Sequence, residues 1–268
     1  MKTELYYFSG TGNSIHVARE LKKRIPGMKL IPVMGTLKKS KVKSNAEIIG
    51  IVFPIHGHTF PWVIKEFLKR LEIPSTSYLF AISNRECADQ VFLDMNKVLK
   101  KKNRQLNASF FLNTPVNFIP IFSVPSKEEI KKLETELQKK LDIIQDFILN
   151  RKQYHENTGG LIKGLATTLL RISTFILQKS AYFGLQNSYY ANDKCTGCGI
   201  CERICLSHKI KLVNDQPEWD KNIACTYCFA CISYCPTKAI QARWKRTKHK
   251  RRYHHPEISV KDIAEQKM

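Results

Sequence analysis

The sequence predicts an α/β protein, a doubly wound parallel sheet followed by a small, cysteine-rich α+β domain. Three observations carry this. Short apolar runs alternate with amphipathic helical segments over the first 150 residues. A glycine- and hydroxyl-rich loop, Ser9–Ser14, joins the first such run to the first helix. Cys195-Thr-Gly-Cys198-Gly-Ile-Cys201-Glu-Arg-Ile-Cys205 returns thirty residues later as Cys225-Thr-Tyr-Cys228-Phe-Ala-Cys231-Ile-Ser-Tyr-Cys235.

Taken in order, Thr3–Phe8 reads as the first strand and Ile15–Lys23 as the helix after the loop. Lys29–Val33 is a short strand, and the lysines of 38–44 form a solvated loop. Glu47–Phe53 is a continuous apolar run, as expected of a strand buried on both faces. It ends in Pro54-Ile55-His56-Gly57-His58-Thr59-Phe60-Pro61, and a helix follows over Trp62–Leu71. Ser77–Ile82 is the next strand, running into Ser83-Asn84-Arg85-Glu86-Cys87. Helix is expected from Cys87 or Ala88 to Lys102, strand over Leu106–Leu112 and helix over Lys127–Leu149. In such sheets ligands bind beyond the carboxyl ends of the strands, where the loops 9–14, 54–61 and 83–89 fall.

Each cysteine run is C-x2-C-x2-C-x3-C, the spacing of bacterial-type [4Fe–4S] ligation. The two-residue gaps wrap three thiolates around one face of a cubane, and a distant fourth closes it. In two-cluster ferredoxins the fourth cysteine of each run serves the other cluster. Cys195, Cys198, Cys201 and Cys235 are therefore assigned to one cluster, and Cys225, Cys228, Cys231 and Cys205 to the other. Zinc sites do not need this doubled pattern, and nothing indicates the secretion that disulfides accompany. Pro236 follows the second run, whereas Leu206 stands at the equivalent place in the first. Ile210 and Ile240 lie five residues after Cys205 and Cys235, each an expected apolar anchor beneath a cluster. The segment 190–241 is too small to build much core, so metal is expected to do much of its folding work.

The loop Ser9, Gly10, Thr11, Gly12, Asn13, Ser14 offers hydroxyls, helix-terminal amides and close backbone approach, an anion site. It matches neither the dinucleotide fingerprint nor the NTPase phosphate loop. No signal peptide and no apolar run long enough to span a membrane are seen, so a reducing cytoplasm, in an anaerobic host, is expected. The formal charge is +21. With two clusters at about −2 each and a flavin mononucleotide (FMN) near −2 it would fall to roughly +15. Such a field favours acidic partners, and in the absence of a nucleic-acid motif an acidic redox protein is the economical choice.

These features together resemble the flavodoxin–ferredoxin fusion family, sometimes called ferrodoxins, iron–sulfur flavoproteins. The loop Ser9–Ser14 looks like the FMN phosphate loop, and Val52–Pro61 like the second flavin loop. The resemblance covers nearly the whole chain, including Asn113–Pro120, Trp219 and the tail Arg252-Tyr253-His254-His255-Pro256. It implies a flavodoxin-like sheet of order 2-1-3-4-5 over 1–150, a helical linker over 151–189, a ferredoxin-like domain with two [4Fe–4S] clusters over 190–241 and a basic tail over 242–268. It also implies that Ser9, Thr11, Gly12, Asn13 and Ser14 hold the FMN phosphate, that Pro54, Ile55, His56, Gly57, His58 and Phe60 line the ring, with His58 or Phe60 stacking on it, and that Ser83 and Asn84 lie at its edge. The third loop departs from the family in having no glycine between Asn84 and Cys87.

Plainer readings stand beside these. His56 and His58 also read as ordinary loop histidines, and Cys87 as a small filler rather than a redox residue. Leu161, Leu165, Leu169, Ile172 and Ile176 form a helical stripe, read as a packing helix between the domains or one lying on a membrane surface. Trp244–Tyr253 is a basic run, solvated or guiding an acidic partner or anionic lipid. No acid, base or nucleophile constellation appears. The expected function is electron transfer between FMN, two [4Fe–4S] clusters and redox partners. The alternatives are a flavin-dependent reductase of a small molecule and a cluster-bearing docking module without flavin.

Overall fold

The computed structural model describes residues 1–56, 59–84, 90–119, 122–156, 188–242, 247 and 250–268. The helical stripe of 161–176, Gly57, His58, Cys87 and most of the basic run before residue 250 lie outside the described residues.

Six strands form the central sheet: β1 (Thr3–Tyr7), β2 (Lys29–Pro32), β4 (Ile48–Pro54), β6 (Tyr78–Asn84), β7 (Ala108–Leu112) and β8 (Tyr154–His155). Their order is β2-β1-β4-β6-β7-β8, every pairing parallel. The first five reproduce the flavodoxin-like 2-1-3-4-5 order; β8 is an addition the sequence did not reveal. It is two exposed residues long, held at the edge by β7 and by Glu156, whose Oε2 accepts from the Phe111 amide at 2.9 Å. The short strands β3 (Val42–Lys43) and β5 (Leu71–Glu72) pair with each other outside this sheet.

Alternation along each strand feeds two cores. Leu5, Ile48, Val52, Phe80, Ile82 and Phe110 face helices α1 (Asn13–Arg24) and α5 (Lys127–Leu149). Tyr6, Phe8, Ile49, Ile51, Phe53 and Phe111 face α3 (Trp62–Arg70) and α4 (Gln90–Lys100). The single turn α2 (Val33–Thr36) completes the α/β elements. A capping box, Ser126 with Glu129, starts α5.

The second core does not stop at the α/β layer. Ile204, Leu206, Ala230 and Tyr234 of the cysteine-rich part belong to it, as do Ile258 and Ile263 of the tail. Leu206 is 1% exposed, so the position where the other run has Pro236 is a core position here. The cysteine-rich part adds antiparallel pairs β9 (Tyr189–Ala191) with β12 (Ile240–Ala242), and β10 (Ile210–Val213) with β11 (Gln216–Trp219). Two single-turn helices, α6 (Ile200–Ile204) and α7 (Ala230–Ser233), each carry the third cysteine of their run.

Part of the basic tail over 242–268 packs into the fold. Residues 253–266 fold against the α/β layer, with Tyr253, His255, Ile258, Ile263 and Gln266 all buried. The segment ends in α8 (Val260–Glu265), begun by a Ser259/Asp262 capping box, and Arg19 of α1 pairs with Asp262. Apolar burial at Ile258 and Ile263, with fixed polar contacts, outweighs the hydration that its charges favour.

Candidate metal centres and anion loop

The cysteine runs fold as near copies. Gly197 and Tyr227 share a left-handed backbone (φ 67° and 52°), as do Gly199 and Phe229 (71° and 58°), and His208 and Lys238 (57° and 55°). Glycine takes this conformation without strain, whereas Tyr227 and Phe229 incur roughly 1 kcal/mol each. Phe229 offsets its share by packing edge-on against Phe118, ring centroids 5.1 Å apart, and against Tyr189. The amides of Lys209 and Ala239 each donate to a sulfur, Cys205 and Cys235, at 3.2 Å. Ser207 and Thr237 hydroxyls lie 3.7 Å from the same two sulfurs.

This fold brings Cys195, Cys198, Cys201 and Cys235 around one cavity, with Ile240 in its wall. Cys205, Cys225, Cys228 and Cys231 surround a second, with Ile210 and the buried Lys209. The fourth cysteine of each run thus stands with the first three of the other. None of the eight is in a disulfide. Burial pushes the Cys201 thiol up to about 11 and the Cys225 thiol up to about 12, and neighbouring cysteines push in the same direction. Bare thiols here resist ionisation, so a cationic metal is what makes thiolates of them. Four converging sulfurs, an amide N–H on the closing one and a largely apolar wall fit an iron–sulfur cluster at each cavity.

The second cavity abuts the loop 9–14. A side chain on Gly10 would put its Cβ 1.9 Å from the Cys228 carbonyl oxygen, so the two backbones touch. Trp62, at the start of α3, donates its Nε1–H to the Cys225 carbonyl at 3.2 Å. Cys198, in the other cavity, is the exposed cysteine of the eight.

The loop itself is enclosed. Gly12 takes φ +101°, which turns the chain into α1, and its Cα faces His255 and Ile258. Ser9 Oγ accepts from the Gly12 amide at 3.1 Å. Asn117 donates to Thr11 Oγ1, and Asn84 Nδ2 donates to Ser14 Oγ at 2.8 Å. Asn13 bridges outward, donating to the Pro115 carbonyl at 3.1 Å and accepting from Tyr253 Oη at 3.0 Å. The tail adds the His255 amide on the Thr11 carbonyl (2.8 Å) and Gln266, which clasps Ser9 twice: Oε1 accepts from the amide at 2.9 Å and Nε2 donates to the carbonyl at 2.8 Å. Sequence reasoning missed Gln266 and the loop contacts of Tyr253 and His255. The resemblance singles out the stretch Arg252–Pro256, without these contacts.

Thr11 and Ser14 accept hydrogen bonds through oxygen and keep their O–H donors. The first-turn amides of α1 have no acceptor within the helix. At the end of β6, Ser83 Oγ and Asn84 Oδ1 are buried with no partner among the described residues. The hydroxyls and amides fit a phosphorylated ligand, whereas Asn84 Oδ1, an acceptor, suits an N–H donor. In the second loop, Pro54 and Ile55 are half-buried, and His56 and Thr59 bond through their backbones at 2.9 and 3.3 Å. Burial lowers the His56 imidazole to about 4, and its ring meets Phe8 edge-on. Phe60 is 6% exposed and packs edge-on against Phe53 in the core.

His16 of α1 stacks on His255, centroids 3.9 Å apart, while its Nε2 meets Glu134 of α5 at 2.9 Å. Burial, then His16, lowers His255 to about 4, and the bond to His16 lowers Glu134 to about 2. A histidine depressed in the fold stays neutral where the unfolded chain is protonated. Its stabilisation is whole above about pH 6.5 and is lost as pH falls toward about 4. Denaturant unfolding should show a loss on the order of 2 kcal/mol across that window. His255→Phe should flatten the slope, leaving the part due to His56. An unchanged slope would show that the stack is not its source.

The fold and these sites define a two-part protein: a doubly wound α/β layer with an anion loop, joined to a segment that converges eight cysteines in two groups of four. Through its C-terminal region the chain belongs to the ferredoxin family, fused here behind a flavodoxin-like domain. It is 34% identical over 53 residues to a ferredoxin from Methanothermococcus thermolithotrophicus, covering 19% of this chain and 88% of that one. It is 41% identical over 49 residues to one component of an ion-translocating oxidoreductase complex from Methanosarcina acetivorans, 18% of each chain. The match thus spans under a fifth of that component's length. Among solved structures, a flavodoxin from the domain Archaea aligns with 53% of this chain and 99% of its own, at TM-score 0.32 and 12% identity. No protein-family model matches the chain. Among the described residues, no helix is long and apolar enough to cross a membrane.

Proposed function

We propose that the protein is an electron carrier that passes electrons between FMN, two [4Fe–4S] clusters and redox partners. The observation that carries this is the pair of four-cysteine cavities, one of them in backbone contact with the anion loop. Cys195, Cys198, Cys201 and Cys235 would hold one cluster, and Cys205, Cys225, Cys228 and Cys231 the other. Thr11, Ser14 and the α1 amides would hold the FMN phosphate. Each cluster supplies one-electron chemistry and the flavin one- or two-electron chemistry, which suits the joining of unlike partners. The chain's own part is to hold these groups close, to exclude water and to leave one cysteine, Cys198, at the surface.

Anaerobic purification followed by iron, acid-labile sulfide and flavin analysis tests the reading. The expected result is about eight irons and about one FMN per chain. Clusters without flavin, and no quenching when FMN is added, would leave the docking-module alternative. Given flavin binding, Thr11→Ala with Ser14→Ala removes two donors to a charged group, each contributing about 1.5–3 kcal/mol. FMN affinity should fall at least about tenfold, read by fluorescence titration.

The charge of +21 supports an acidic partner. Electron-transfer rates with such a protein should fall steeply between low salt and physiological salt, where the field reaches only about 8 Å. Stopped-flow rates flat across that range would remove the acidic partner.

A further inference from the structure

We propose that Lys209 ranks the two clusters, making the one held by Cys205, Cys225, Cys228 and Cys231 the more easily reduced. This rests on the cluster reading above. The two cavities are matched nearly atom for atom around their closing cysteines: the same amide-to-sulfur bonds, the same hydroxyl two residues on and the same left-handed residue three residues on. They part at the fourth position, which is Lys209 after Cys205 and Ala239 after Cys235. Both are buried, at 0% and 1% exposure.

A lysine so fully buried normally has a counter-ion. Lys209 has no carboxylate ion pair among the described residues. Its Nζ donates to the Asp220 carbonyl and, at 2.7 Å, to the Ile223 carbonyl. Burial lowers the Lys209 ammonium from its ordinary value, and the fields of Cys225, Asp220 and Cys205 push the other way. Two of the three belong to the second cavity, whose wall it forms. Reduction adds a negative charge to a cluster, and a cation held in the dry wall favours that added charge.

Three other effects bear on the ranking. The Tyr227 amide donates to Cys225 Sγ at 3.3 Å and acts in the same direction as Lys209. Arg252 is a second, half-buried cation: among the described residues its Nε and Nη1 have no partner, and Nη2 donates to the Ile240 carbonyl at 3.1 Å. The fields of Cys235 and Cys231 both reach it, so it favours reduction of both clusters. Exposure at Cys198 favours reduction of the other cluster, through one ligand of four. A full charge within one side-chain layer of the second cavity outweighs that partial exposure.

The test is an anaerobic redox titration with dithionite and mediators, followed by electron paramagnetic resonance, on the full-length protein. The unmutated chain should reduce in two resolved waves. Cys225→Ser should remove the higher-potential one. Lys209→Gln, which keeps a donor for the carbonyls and loses the charge, should shift that wave's equilibrium at least about tenfold toward the oxidised form, about 59 mV for one electron. The other wave should stay in place. A higher wave that survives in Cys225→Ser, a single unresolved wave, or a Lys209→Gln protein whose waves stay put or move together would each overturn the proposal. The arm with Cys225→Ser leaves Lys209 untouched, so it decides the ranking even where Lys209→Gln loses iron. Purified protein without iron and sulfide would overturn the cluster reading itself, and this inference with it.

Discussion

Replacing Cys205 by serine is expected to destroy the cluster of the other cysteine run and to spare that of its own. Cys205 stands with Cys225, Cys228 and Cys231, twenty and more residues away in sequence, and not with its run-mates Cys195, Cys198 and Cys201. Iron per chain should fall by roughly half, with one of two electron paramagnetic resonance signals lost. Cys198→Ser should remove the opposite signal. If the two variants lose the same signal, each run feeds a single cluster and the crossed grouping is wrong. The damage should also spread, because Cys205 belongs to the apolar cluster that includes Tyr189, Phe229 and Ile232.

Gly10→Ala should be as severe without replacing a cysteine. The added methyl would lie 1.9 Å from the Cys228 carbonyl oxygen and 2.6 Å from Cys228 Cβ, and backbone on both sides leaves no flexible side chain to yield. The loop and the CxxC turn must then separate. A cost of about 3 kcal/mol or more is expected, at the upper end of overpacking effects. Gly27→Ala is the control: φ is +80° and no atom lies within 4 Å, so only backbone strain of about 1 kcal/mol applies. Urea unfolding and iron content, measured on both, separate the two cases. Equal losses would mean that the contact at Gly10 carries no energy.

How much of this was legible depended on the length scale of the signal. The buried strands showed themselves because Ile48–Phe53 is apolar on both faces and bounded by proline and charge. Strand–helix alternation gave the parallel, doubly wound class, the order of the first five strands came with the family resemblance, and α5 matched its expected bounds, Lys127–Leu149. The strand β8 could not be read: two exposed residues carry no periodicity. The packing of the tail could not be read for a related reason. Its buried apolar residues, Ile258 and Ile263, are five apart in a charged stretch, and the residue that clasps the loop, Gln266, is polar yet 0% exposed. Composition cannot tell a glutamine that satisfies a backbone amide and carbonyl from one in water. Nor could it reveal that Phe60 faces the core, because alternate burial in an irregular loop follows the neighbours' packing.

The clasp at Ser9 also sets an order of events in the making of the chain. Ser9 and Gln266 are 257 positions apart. At about 5–20 residues per second, synthesis leaves the first loop waiting roughly 10–50 seconds for its partner. The parallel sheet can form in that interval, because β1 to β8 lie within the first 155 residues. Until the last turn arrives, the amide and carbonyl of Ser9 are open to water, and so is the face of Gly12 that His255 and Ile258 later cover. The sheet can therefore be built while the anion loop is still uncovered.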